Sequence, residues 1–152
     1  MIVYRITNSV HASDISGSGA SLYPGRWNKK GTPVLYTGGS KEIALLEQIV
    51  HIPPLLIPNL DILTIEIPEN SITELNPNNL PKNWKQYPAP TVLSEIGHKW
   101  IISNSSIVLC VPSCILESST IYILNCNHAK YGDVKILDQR RFQLDKRFIK
   151  TK

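Results

Sequence analysis

The stretch Val34-Leu35-Tyr36-Thr37-Gly38-Gly39-Ser40-Lys41-Glu42-Ile43-Ala44-Leu45-Leu46-Glu47 passes from strand to helix in a few residues. Val34-Leu35-Tyr36, following Pro33, reads as a short strand. Thr37-Gly38-Gly39-Ser40 breaks it. Ser40 offers an N-cap hydroxyl, and Glu42 in the first turn suits the positive end of the helix dipole. The helix is expected to run to about His51 and to stop before Pro53-Pro54. Helical spacing puts Ile43, Glu47 and Val50 on one face, with Leu46 beside them. That face must pack on a sheet. A carboxylate there is costly to bury unless it is paired or hydrogen-bonded.

Outward from this unit, Ile2 to Thr7 alternates Ile2, Tyr4, Ile6 against Val3, Arg5, Thr7 and reads as a first strand. Residues 8–25 are rich in Ser and Gly and read as a loop reaching over something. Further strands are expected at Asp61 to Ile67, Ile107 to Val111, Ile121 to Leu124, Val134 to Leu137 and Arg141 to Leu144. Residues 76–90 carry four prolines and four asparagines and should be loop. A helix is expected from about Thr91 to Ile102, with Gly97 as its weak point. This order is not a regular strand–helix alternation. It points to an α+β domain over residues 1–152 and away from a doubly wound parallel sheet.

The 152 residues suffice for one domain with a real core. Apolar runs reach four or five residues, as in Ile121 to Leu124 and Ile107 to Val111, against about 20 for a membrane span. No signal peptide is visible after Met1-Ile2-Val3-Tyr4-Arg5, so the cytoplasm is the expected compartment. Cys110, Cys114 and Cys126 are an odd set, as suits reduced thiols. A zinc site from these three and His128 has irregular spacing, and no metal is expected. The net charge of +4 is uneven: residues 1–129 carry −1 and residues 130–152 carry +5. A solvated terminal strand explains that best. An acidic partner surface comes second. Nucleic acid comes third, because aromatics are not interleaved with the cations.

Several residues break their local pattern. Glu47 is either half of a structural ion pair with an interior arginine or a carboxylate aimed into a cleft. In a cleft it can stabilise a developing cation or hold a sugar hydroxyl. Arg26 lies in the Gly-rich turn Gly25-Arg26-Trp27-Asn28, and its guanidinium fork matches phosphate geometry. Arg5 points to solvent or lines the site. Tyr36 is a packed tyrosine or a stacking surface for a flat heterocycle. Trp27 reads as a core or lid anchor. Ser113, after Val111-Pro112, lies at a strand edge where its hydroxyl can contact a sugar; no Gly-x-Ser-x-Gly elbow surrounds it. Asn125 and His128 end the following strand, and His128 reads as structural.

These residues together resemble the RES domain, the toxin half of RES–Xre toxin–antitoxin modules, named for Arg, Glu and Ser positions. The matching stretches are Ser16-Gly17-Ser18-Gly19-Ala20, Gly25-Arg26-Trp27-Asn28, Val34-Leu35-Tyr36-Thr37 and Ala44-Leu45-Leu46-Glu47. Leu80-Pro81 with Trp84, Val111-Pro112-Ser113, Leu124-Asn125 with His128, and Asp145 with Arg147 follow in order. The resemblance implies a mixed, mostly antiparallel sheet with flanking helices, related to ADP-ribosyltransferases and diphtheria-type toxins. It implies a cleft for NAD+ as substrate and loss of cellular NAD+, by hydrolysis, phosphorolysis or ADP-ribose transfer to a protein. A catalytically silent regulatory module is the reading from another class. Arg26, Glu47 and Ser113 match the naming triad. Tyr36 matches the site tyrosine, Arg5 the first-strand arginine, and Asn125 joins the expected NAD+-binding set. The implied partner is an Xre-type helix-turn-helix antitoxin, with DNA reached only through it, no membrane, and room for a homodimer within a larger complex. Tyr23-Pro24-Gly25 replaces a commoner double glycine, Gly97-His98 a Gly-Asp, and Cys126 a proline.

Overall fold

The computed structural model describes residues 1–53, 56 and 58–149. Seven strands of the described residues join one sheet: β1 (Ile2–Asn8), β2 (Val34–Gly38), β3 (Leu60–Glu66), β4 (Ile72–Glu74), β5 (Val108–Pro112), β6 (Thr120–Asn125) and β7 (Lys135–Phe142). Their order is β4-β5-β6-β2-β1-β3-β7. Every neighbouring pair is antiparallel except β4–β5. Among the described residues three α-helices accompany the sheet: α1 (Ser18–Leu22), α2 (Lys41–Ile49) and α3 (Thr91–Ser103). The α+β class and the mostly antiparallel sheet are as the sequence leads one to expect.

The sheet is buried on both faces near its centre. On one face Val3, Leu35, Leu63, Ile65 and Leu124 form a core under Ala12 and Ile15 of the loop that follows β1. A fully buried Leu or Ile such as Leu63 or Ile65 contributes ~2 kcal/mol by transfer from water. On the other face Ile43 of α2 and Leu93 and Trp100 of α3 pack with Val34, Leu109, Val111, Ile121 and Ile123. Ala44 of α2 packs with Ile6 and Leu60 beside that cluster.

Ser40 caps α2 as expected, its hydroxyl accepting the Ile43 N–H at 3.2 Å. The helix ends at Ile49, and Val50 is 60% exposed, so Val50 does not share the buried face of Ile43. Pro54, half of the expected proline stop, lies outside the described residues.

Four elements differ from the expectation. The loop after β1 contains α1, too short to carry an apolar period. β4 has three residues at the sheet edge and gives no alternation to read. The two strands expected near 134–137 and 141–144 are one strand, β7. Its register slips opposite Thr64/Ile65, where Thr64 pairs Asp138 and Ile65 pairs Ile136, leaving Leu137 over. A bulge of this kind shifts the inside–outside alternation, which is why one strand reads as two. Gly97, finally, is no weak point. A Cβ there would lie 1.8 Å from the Trp27 carbonyl oxygen, so only glycine lets α3 approach the Arg26 turn this closely.

Candidate active site

Tyr36 lies in the middle of β2 on the face that receives α2 and α3. At the end of the same strand Gly38 meets α2 directly: a Cβ would come within 2.7 Å of Ile43 Cγ2 and 3.0 Å of the Ala44 nitrogen. This contact lays the helix flush on the sheet and fixes where Glu47, one turn after Ile43, emerges. β1 and β2 are paired in register only at Tyr4 and Gly38, whereas β1 and β3 pair along seven residues. The sheet therefore loosens between β1 and β2.

Glu47 is half-buried. Its Oε1 accepts the Ser113 hydroxyl at 2.7 Å. Ser113 follows β5, is 1% exposed, and holds the β5–β6 turn through its own N–H to the Ser119 carbonyl at 2.9 Å. The Ser113 oxygen also accepts the Ile115 and Leu116 N–H groups, at 3.1 and 3.2 Å. Its proton faces Glu47 and its lone pairs face backbone donors. That arrangement orients a carboxylate and leaves no lone pair for nucleophilic attack. No cation lies within salt-bridge distance of Glu47 among the described residues, so the structural ion pair is not what holds it there.

Arg26 is half-buried in the turn before β2. One terminal nitrogen donates to the carbonyls of Trp84 and Gln86, at 2.7 and 2.9 Å. The other terminal nitrogen and Nε have no protein partner among the described residues, which leaves one edge of the guanidinium fork open to an anion. The segment it grips is tied to the Ser113 side: Lys85 pairs with Glu117 and stands over the Trp84 ring, 5.7 Å from its centroid. Residues 84–86 thus form a rim joining the Arg26 turn to the turn after Ser113.

Tyr36 feels both charges. Its hydroxyl donates to Asn28 Oδ1 at 2.7 Å and accepts the Trp27 N–H at 3.1 Å. Burial pushes that hydroxyl far above the usual tyrosine range. The Trp27 N–H and the Arg26 charge act against this, and the Glu47 charge adds to it. Both Arg26 and Glu47 are therefore near enough to act on one phenol. Trp27 is buried among Trp100, Leu93 and Leu109, as a core anchor.

Arg5 and Asn125 are placed elsewhere. Arg5 shares its side of β1 with Val3, opposite Tyr4 and Ile6, which pack under α2. It donates to the Asp14 carbonyl at 3.3 Å. Burial lowers its pKa, with Tyr131, Asp14 and Cys126 opposing the shift. Asn125 pairs with Val34, at the far end of β2 from Gly38, and its Oδ1 accepts the Asn127 N–H at 3.0 Å to shape the turn after β6. His128 completes that turn, its Nδ1 accepting the Lys130 N–H at 3.1 Å. The three cysteines are free thiols. Among the described residues no group of three or more His, Cys, Asp or Glu side chains is placed to hold a metal, and no helix is long and apolar enough to cross a membrane. A groove of about 380 Å3 lined by Asn70, Ser71, His128 and Lys130 lies at the start of β5, the opposite end from Ser113.

Arg26, Tyr36, Glu47 and Ser113 are thus brought into one neighbourhood. Sequence reasoning assigned no role to Asn28 or to the 84–86 rim, and it read Gly97 only as a weak point of its helix. Asn28 stands in the same quoted turn, and the proximity of a polar residue to Arg26 was the available signal.

The chain is 39% identical to the Toxin Res of Photorhabdus laumondii, covering all of this chain and 99% of that protein. It is 33% identical to the Prs ADP-ribosylating toxin of a Sphingobium species, over 91% of this chain and 89% of that one. A chain in the crystal structure of the M. tuberculosis MbcT–MbcA toxin–antitoxin complex superposes with a TM-score of 0.77. It covers 93% of this chain and 83% of its own length at 18% identity, which speaks for the fold alone. The profile of the RES domain matches residues 2–145, and the chain belongs to the RES domain family.

Proposed function

We propose that this chain is the toxin of a toxin–antitoxin pair and that it breaks the nicotinamide–ribose bond of NAD+. The observation that carries the reading is the Glu47–Ser113 pair, a carboxylate oriented by a hydroxyl and not matched to a cation among the described residues, with its charge and that of Arg26 both acting on Tyr36. As the bond breaks, its electron pair leaves with neutral nicotinamide and positive charge develops on the ribose. Glu47 stabilises that charge and its second oxygen takes a ribose hydroxyl. The open edge of Arg26 holds the pyrophosphate. Tyr36 offers its ring to the nicotinamide. Ser113 keeps the carboxylate in place.

The acceptor of the ADP-ribosyl group is water or phosphate in this reading. Transfer to a protein is the second reading, favoured by the name of the Sphingobium relative. The partner is an antitoxin of the Xre type, and the setting is the cytoplasm. Incubating purified protein with NAD+, with and without phosphate, and identifying the products tests the proposal. Free nicotinamide must appear. ADP-ribose, its phosphate ester or a labelled protein band in lysate then separates the acceptors. Undiminished nicotinamide release by folded Glu47→Gln protein would sink it.

A further inference from the structure

We infer that Asn28 is the positioning residue of this centre: one buried side-chain amide sets both the ring of Tyr36 and the turn that carries Arg26. The inference rests on the NAD+ reading above and assigns a new residue to it. Asn28 is 2% exposed. Its Oδ1 accepts the Tyr36 hydroxyl at 2.7 Å and the Gly25 N–H at 2.8 Å. Its Nδ2 donates to the carbonyls of Ala20 at 2.8 Å and Thr32 at 3.1 Å. A primary amide has two donors and two acceptor lone pairs, so Asn28 is saturated. Its orientation is also forced. Turned over, it would set NH2 against the Gly25 N–H and oxygen against two carbonyls.

Two consequences follow. The Tyr36 hydroxyl has one proton, and Asn28 takes it; its oxygen receives the Trp27 N–H. The hydroxyl proton is thereby unavailable to a ligand, and the part of Tyr36 left to meet a flat heterocycle is its ring. The backbone is also held on both sides of Arg26, at Gly25 by Asn28 and at Trp27 by Tyr36. The fit is close: a Cβ on Gly25 would lie 2.8 Å from the Tyr36 oxygen. The aim of the guanidinium is therefore set by Asn28 from one side and by the Trp84 and Gln86 carbonyls from the other. Removing the amide loosens the phosphate grip and the stacking ring together, and leaves the Glu47–Ser113 pair untouched.

The test is a split between KM and kcat for nicotinamide release, with folding checked by circular dichroism and melting. Asn28→Asp keeps the acceptor oxygen but sets a carboxylate against two carbonyls. It should raise KM for NAD+ roughly 10-fold or more while kcat stays within about threefold. Tyr36→Phe cuts the same brace at its other end, so the double variant should be no worse than Asn28→Asp by more than about twofold. A role confined to loop stability predicts the reverse: unchanged KM, a smaller folded fraction and additive effects. Folded Asn28→Asp protein with the parent's KM overturns the inference, as does an additive double variant. If Asn28→Asp does not fold, Tyr36→Phe decides alone: it must lose hydrogen-exchange protection at the Trp27 amide and raise KM, and unchanged KM with protection lost overturns the inference. A parent that releases no nicotinamide overturns the NAD+ reading and this inference with it. An active parent with an indifferent Asn28 overturns only the latter.

Discussion

Asp61 of β3 and Glu47 of α2 are two carboxylates at least partly withdrawn from solvent, and they end in opposite conditions. Asp61 lies in β3 opposite Thr7, 7% exposed, and accepts from Ser9 at 2.5 Å, Gln139 at 2.7 Å and Arg141 at 3.1 Å. Those partners, the Ser9 hydroxyl first, hold its carboxyl below the usual range. Glu47 has one hydroxyl and no cation among the described residues. The arginines divide in the same way. Arg141 is paired through Nε with a carboxylate, Asp61, whereas Arg26 touches only carbonyls and has no carboxylate partner among the described residues. A charge whose valences are filled by its own chain is a structural part. A charge held in place yet unfilled is one that a substrate can complete.

Mutations at the two carboxylates press this contrast hardest. Glu47→Gln should cut NAD+ cleavage roughly 100- to 1,000-fold while leaving the melting midpoint near the parent's, as measured by nicotinamide release and thermal unfolding. Arg26→Ala should weaken NAD+ binding roughly 10- to 100-fold, since hydrogen bonds to charged groups are worth about 1.5–3 kcal/mol; unchanged calorimetric binding would count against its phosphate role. Ser113→Ala leaves Glu47 in place but less firmly oriented and should cost roughly fivefold in kcat. Asp61→Asn should behave the other way round, lowering the melting midpoint by several degrees and leaving the activity of each folded molecule intact. If Asp61→Asn abolished catalysis without loss of stability, the division between filled and unfilled charges would fail.

The smallest effect concerns Asp14, whose carboxyl is lowered to about 2 by hydrogen bonds from Ser16 and Ser18, with Arg5 adding a weaker pull. A depressed folded-state pKa adds stability above the ordinary value of 3.8, and that stability is lost as the pH falls toward 2. Asp14→Asn should therefore melt slightly lower than the parent above pH 3.8, with the gap closing as the pH approaches 2.

Much of this was legible because it is local. The Ser40 cap, the helix that follows it and the strand at Val34 each depend on residues within a few positions of one another. Arg26, Tyr36, Glu47 and Ser113 stood out by breaking those local patterns. Arg5 stood out by the same rule and lies on the other side of β1, because a pattern break marks a residue as unusual without naming its neighbours. Gly97 read as a defect for a similar reason: the Trp27 carbonyl that needs the space is 70 residues away in the chain. Asn28 was in plain view within a quoted motif, but its four partners come from the Ala20 to Tyr36 segment folded back on itself.

Residue chemistry and periodicity were enough to settle the class of fold and the main strands and helices. Those are properties of short windows, governed by caps, alternation and backbone preferences. Which carboxylate is filled and which is free, which arginine faces which side of the sheet, and where glycine is indispensable emerged with folding. Each depends on distances between residues far apart in the chain, and burial and hydrogen bonding act across space and not along the sequence.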